Sequence, residues 1–156
     1  MIIVSACLSG EKCRYDCGTK ENAAVRDLVS RGRAVAVCPE LLAGFGLPRP
    51  ASEISGGNGA DVLAGKARVL DMKGKDITVE FVDGCRKAAE RGFKEGVRLA
   101  VLKEKSAACG TKKIYDGSFK GRLVRGPGIL CALLEAAGIR VISEEDLSDL
   151  EISDYE

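Results

Sequence analysis

The chain has 156 residues, 46% of them hydrophobic and 30% charged, the size and make-up of one soluble domain. It contains no histidine, which excludes Ser-His-Asp and Cys-His catalysis and any His-ligated metal, and leaves acid–base work to Glu, Asp, Lys, Tyr or Cys. The net charge of +1 is uneven: residues 144–156 hold seven acids and no base, so residues 1–143 carry a surplus of eight positive charges. That divides the chain into a domain over 1–143 and an acidic C-terminal tail over 144–156.

The N-terminus, Met1-Ile2-Ile3-Val4-Ser5, has neither a basic stretch nor a long apolar run, so it reads as a first strand and not as a secretory signal. A cytoplasmic location and no membrane association are expected. Four short aliphatic runs, Ile2–Ser5, Ala34–Val37, Leu99–Leu102 and Arg140–Ile142, have the character of buried parallel strands. Helical periodicity lies between them. Asn22–Arg31 places Ala24, Val25, Leu28 and Val29 on one stripe, and Gly32 follows as a stop. Thr78–Glu95 gathers Phe81, Val82, Cys85, Ala88, Ala89 and Phe93. Ile129–Ala137 lies between Pro127 and Gly138. The insertion at 39–77 is rich in Gly and Pro, and Ala67–Leu70 with Lys75–Val79 around Met72-Lys73-Gly74 predicts a hairpin. The pattern is that of a single α/β, Rossmann-like domain with a mainly parallel sheet of about four core strands, in the spatial order 2-1-3-4.

Seven cysteines are many for a reducing compartment, and an odd number makes no complete disulfide framework. Cys7 lies just after the first strand, Cys38 directly after the second, and Cys109 in the loop after the third. In a parallel sheet all three loops emerge at the carboxyl edge, where open α/β sheets bind ligands. Three thiolates suit zinc or an iron–sulfur cluster. No CxxC pair is present to complete a structural zinc site, whereas a cubane with three protein ligands leaves one iron open to substrate. Cys85 and Cys131 fall on helical patterns as small core residues. Cys13 and Cys17 belong to the first loop, Cys13 with an open role near the site and Cys17 incidental.

The stretch Ser5-Ala6-Cys7-Leu8-Ser9-Gly10-Glu11-Lys12-Cys13-Arg14-Tyr15-Asp16 resembles the opening signature of the thiouracil desulfidase family. Cys38-Pro39-Glu40, Pro48-Arg49-Pro50-Ala51-Ser52-Glu53-Ile54, Leu102 to Ser106 with Cys109-Gly110, and Ile114 to Phe119 extend the resemblance over nearly the whole chain. The third loop reads Ser106-Ala107-Ala108-Cys109 where the family commonly has Ser-Pro-Ser-Cys. The resemblance implies an iron–sulfur-dependent, non-redox desulfuration of a thiolated pyrimidine base or nucleoside. It implies a [4Fe-4S] cluster held by Cys7, Cys38 and Cys109, with Glu40 as acid–base group and Ser106 as a hydrogen-bonding partner of substrate or cluster. Arg14, Asp16, Arg49, Lys103 and Asp116 lie in the matched motifs, as loop-holding ion pairs or substrate contacts. A non-catalytic zinc or iron–sulfur module is the competing reading. The basic body would suit nucleic acid, but with 4% aromatic residues and no arginine-rich run the sequence argues against that partner.

Overall fold

The computed structural model describes residues 1–148 and 152–155. In chain order the strands and helices are β1 (Ile2–Ser5), α1 (Ala23–Ser30), β2 (Ala34–Val37), α2 (Pro39–Leu42), β3 (Ser52–Ser55), α3 (Gly59–Leu63), β4 (Arg68–Asp71), α4 (Thr78–Lys94), β5 (Leu99–Leu102), β6 (Lys113–Tyr115), β7 (Leu123–Arg125), α5 (Ile129–Ala136) and β8 (Arg140–Ser143). The main sheet has the order β2-β1-β5-β8, and each of its neighbouring pairs is parallel. This is the expected 2-1-3-4 arrangement of an α/β domain.

The central strands are apolar along their whole length because helices and loops cover both faces of the sheet. Every residue of β1 and of β5 is buried. Side chains alternate between two cores. Ile3, Ala100 and Leu102 pack with Phe81, Cys85, Leu130 and Leu134 on the α4–α5 side. Ile2, Val4, Leu99 and Val101 pack with Val25 and Leu28 of α1 on the other. The Asn22 side chain caps α1 by accepting from the amides of Ala24 and Val25. No described helix is long and apolar enough to cross a membrane.

The insertion holds an antiparallel pair, but its partners differ from the expected ones. β4 pairs with β3, Ile54 opposite Val69. The expected second arm, Lys75–Val79, contributes one bridge, Leu70 to Asp76, before Thr78 opens α4. The Thr78 hydroxyl instead accepts from the Val69 amide, which ties the start of α4 to β4. A second antiparallel pair, β6 with β7, lies in the segment after the Cys109 loop.

Residues 144–146 form a 3-10 turn against the domain. Glu144 pairs with Lys103, Glu145 with Lys113 and Asp146 with Lys112. Ile152 is buried, and Tyr155 lies under the Arg98 guanidinium. Asp149, Glu151 and Glu156 of the acidic segment lie outside the described residues.

Candidate active site

Three loops at the carboxyl edge of the main sheet build the site. The first begins where β1 ends: Ala6–Ser9 form one 3-10 turn, closed by Gly10 at φ 99°, a left-handed conformation that disfavours a side chain. Cys7 sits in this turn, buried, and its carbonyl accepts from the Thr19 hydroxyl at 2.7 Å and the Lys20 amide at 3.1 Å. The loop therefore folds back over Cys7, bringing Cys13 to a position that is 4% exposed.

The second loop is short. Cys38 is the residue before α2, Pro39 fits its first position, and Glu40 lies in its first turn. α4 lies close against α2 through Gly84, where a β-carbon would run into Pro39 and Ala43. The Glu40 carboxylate accepts from Arg49 Nε at 2.7 Å, an ion pair whose arginine side chain is 7% exposed. Arg49 also donates through Nη2 to the Cys13 carbonyl at 2.7 Å, so a single guanidinium joins the first loop to α2.

The third loop carries Cys109. Ser106 Oγ accepts from the amides of Ala108 and Cys109, at 3.2 and 3.0 Å, and thereby shapes the turn that presents the cysteine. The preceding Lys105 has φ 60°, an uncommon value for a residue with a side chain. Behind the loop, buried Glu104 accepts from the Thr111 amide and hydroxyl and from the amides of Lys112 and Lys113. Burial acts to raise this carboxyl, but the four donors outweigh it and hold it below the usual carboxylate range. Gly128 packs flat on the same loop: a β-carbon there would lie 2.6 Å from the Ala108 carbonyl oxygen.

These loops enclose a cavity of about 500 Å³, whose lining includes Cys7, Cys13, Cys38, Cys109, Glu40 and Ser106. Burial pushes the Cys109 thiol up to about 12, against the opposing pull of the Ser5 and Ser106 hydroxyls. Cys38 is raised by its hydrogen bond to Cys13 and by burial. Cys13 is pushed up to about 11: its contact with Cys38 acts downward, but the contact with Cys7 and burial outweigh it. Among the described residues no group of three His, Cys, Asp or Glu side chains forms a site for a metal ion. A cluster takes one thiolate per iron, so its ligands need not converge on one atom.

All five residues expected at the site from sequence, Cys7, Cys38, Cys109, Glu40 and Ser106, line this one cavity. Cys85 and Cys131 are fully buried in the core beside α4 and α5, as helical residues, and Cys17 is exposed. Of the charged motif residues, Arg49 and Lys103 are tied into ion pairs, while Asp16 and Asp116 accept from the amides of Gly18 and Ser118 in local turns. Two contributors lie in the matched motifs but have no role assigned from sequence. Ser5, inside a strand, turns its hydroxyl toward Cys109 and accepts from the Lys103 amide. Glu104 is indistinguishable in sequence from an ordinary loop carboxylate.

Fold and site together define a Rossmann-like protein with a cysteine-lined crevice at the carboxyl edge of its sheet. Residues 2–146 match the family model described as 2-thiouracil desulfurase, and the chain belongs to that family. It is 43% identical over 150 residues to the uncharacterized protein YbbK of Bacillus subtilis (strain 168), an alignment covering 96% of this chain and 99% of that one. Among solved structures it is similar to the [4Fe-4S]-dependent thiouracil desulfidase TudS. The TM-score is 0.83 and the identity 39%, with 97% of this chain and 95% of that chain covered.

Proposed function

We propose that this chain is an enzyme that removes sulfur from a thiolated pyrimidine base or nucleoside of the thiouracil type. It would release sulfide without net oxidation or reduction, using a [4Fe-4S] cluster held by Cys7, Cys38 and Cys109. The observation that carries this reading is the cavity itself: thiols from three separate strand-end loops line it together with a carboxylate. The donor set fits the cluster, because soft, buried thiolates are its customary ligands. When bound, the cluster would supply a thiophilic, Lewis-acidic iron that none of these three thiolates holds, suited to the substrate's sulfur.

The overall change is hydrolytic: the water oxygen bonds to the thiocarbonyl carbon, the C–S bond breaks, and sulfur leaves as sulfide. Glu40 is the acid–base group. Its Oε2 is held by Arg49, which leaves Oε1 to take a proton from the attacking water and return it to the product. The Ser106 oxygen already accepts two amides, so its hydroxyl acts as a donor, to the substrate or to a sulfur of the cluster beside Cys109. Tyr115 and Phe119 line the same cavity and offer aromatic faces to a flat pyrimidine. A small-molecule substrate in a reducing cytoplasm agrees with seven free cysteines.

The test is anaerobic reconstitution with iron and sulfide, followed by measurement of sulfide released from 2-thiouracil and from a thiolated uridine, with the cluster-free protein as control. Cluster-dependent release is the expected result. Cluster-loaded protein that turns over no thiolated pyrimidine would instead favour a non-catalytic module.

A further inference from the structure

Cys13 is the fourth thiol on the cavity and has no part in the mechanism above. It packs in one buried cluster with Cys7, with Cys38 against them, and its thiol lies within hydrogen-bonding reach of both. Its backbone is fixed from two sides. The Cys13 carbonyl accepts from Arg49 Nη2 at 2.7 Å and from the Cys38 thiol at 3.8 Å. The carboxylates around the cavity have other parts: Glu40 pairs with Arg49 through one oxygen and has the acid–base role with the other, Glu53 accepts from the amides of Gly117 and Phe119, and Glu104 holds the loop behind Cys109. Met72 is 62% exposed. Cys13 is thus the buried soft donor that the three-cysteine ligand set leaves over.

Building on the function proposed above, we infer that Cys13 is an exchangeable fourth ligand of the cluster. In the absence of substrate its thiolate bonds the remaining iron, and the thiol proton passes to solvent. When substrate arrives, the thiocarbonyl sulfur replaces Cys13, whose Fe–S bond breaks as the thiolate regains its proton. No electrons are transferred, so the step agrees with a non-redox reaction. The exchange would protect an otherwise open iron from water and chelators between turnovers.

Wild type and Cys13→Ala, both loaded anaerobically with isotopically enriched iron, distinguish the possibilities. In substrate-free wild type, Mössbauer spectra should show all four irons in sulfur coordination. In Cys13→Ala one iron should become distinct, and a small added thiol should restore the wild-type spectrum. Under a mild oxidant and a chelator, the variant should lose that iron to a paramagnetic three-iron species roughly tenfold faster or more, the scale of lost metal-site support. A distinct iron already present in wild type, with equal rates of loss in both proteins, overturns the inference and leaves the three-cysteine reading intact. Failure of wild type to load iron and sulfide in cluster proportion overturns that reading, and the role of Cys13 with it.

Discussion

At Glu40 one carboxylate oxygen accepts from a buried guanidinium, and the proposed function gives the other the proton to carry. Glu40→Gln preserves size and one acceptor but removes the proton-carrying group. It is expected to load the cluster normally and still bind thiouracil, while turnover falls by about 10²-fold or more, the usual scale of a lost general base. Sulfide release under saturating substrate checks this, and near-normal turnover would remove Glu40 from the mechanism. Ser106→Ala should have a smaller effect, through a looser Cys109 turn. Cys7→Ala, Cys38→Ala and Cys109→Ala should each abolish cluster loading, whereas Cys85→Ala and Cys131→Ala should keep it. Iron analysis and the visible absorbance of the reconstituted proteins separate the two groups. The site was legible at this scale where a residue type is rare or sits beside a strand end, as with Cys38-Pro39-Glu40. It was not legible where a common residue acts through distant backbone: the four donors to Glu104 come from residues 111–113, which no spacing rule connects to it.

Elements set these residues in place, and two contacts should prove sensitive. Glu104 anchors the Cys109 loop, and Glu104→Gln should cost about 2 kcal/mol, the scale of hydrogen bonds to a charged group. Because the native carboxyl is held below its ordinary range, its contribution is fully present above the unfolded value of about 4.3. It is lost as pH falls through the lower native value. The gap in melting temperature between wild type and Glu104→Gln should therefore be widest above about pH 5 and narrow on acidification. A gap independent of pH would show that Glu104 is not bonded as a carboxylate. Gly84→Ala should push α4 away from α2, which carries Glu40. The expected loss is about 1–3 kcal/mol, the cost of overpacking, read in thermal melts together with lowered turnover. The strands were legible because β1, β2 and β5 are short aliphatic runs ended by turn or charged residues. The β4 partner was not. Ser52-Glu53-Ile54-Ser55 shows one buried aliphatic side chain in a polar run, and its pairing spans the whole of α3. β7 escaped because all its residues are exposed and no apolar alternation marks it.

For the whole molecule, the proposed ligands come from the ends of β1, β2 and β5, so a bound cluster would add a further link to three segments that the sheet and the Arg49 bridge already hold side by side. The charged groups support the same edge: Lys103, half-buried at the cavity wall, reaches Glu144 at 2.8 Å, and the Glu104 amide donates to the other oxygen of that carboxylate. The C-terminal segment thus braces the third loop. A ligand that binds the folded state alone stabilises it by mass action, about 2.7 kcal/mol when present at a hundred times its dissociation constant. Loading the cluster should accordingly raise the melting temperature, and its removal by chelator under oxidation should lower it again. The gain should be local as well as global. Amide exchange should slow most at residues 6–18, 38–43 and 105–110, and little in the α4–α5 core, which is packed without help from the site. Cys109→Ala should melt near the cluster-free wild type whether or not iron and sulfide are supplied. If loading left both the melting temperature and the exchange of these three loops unchanged, the cluster would not be bridging them, and the shared cavity would have to serve another ligand.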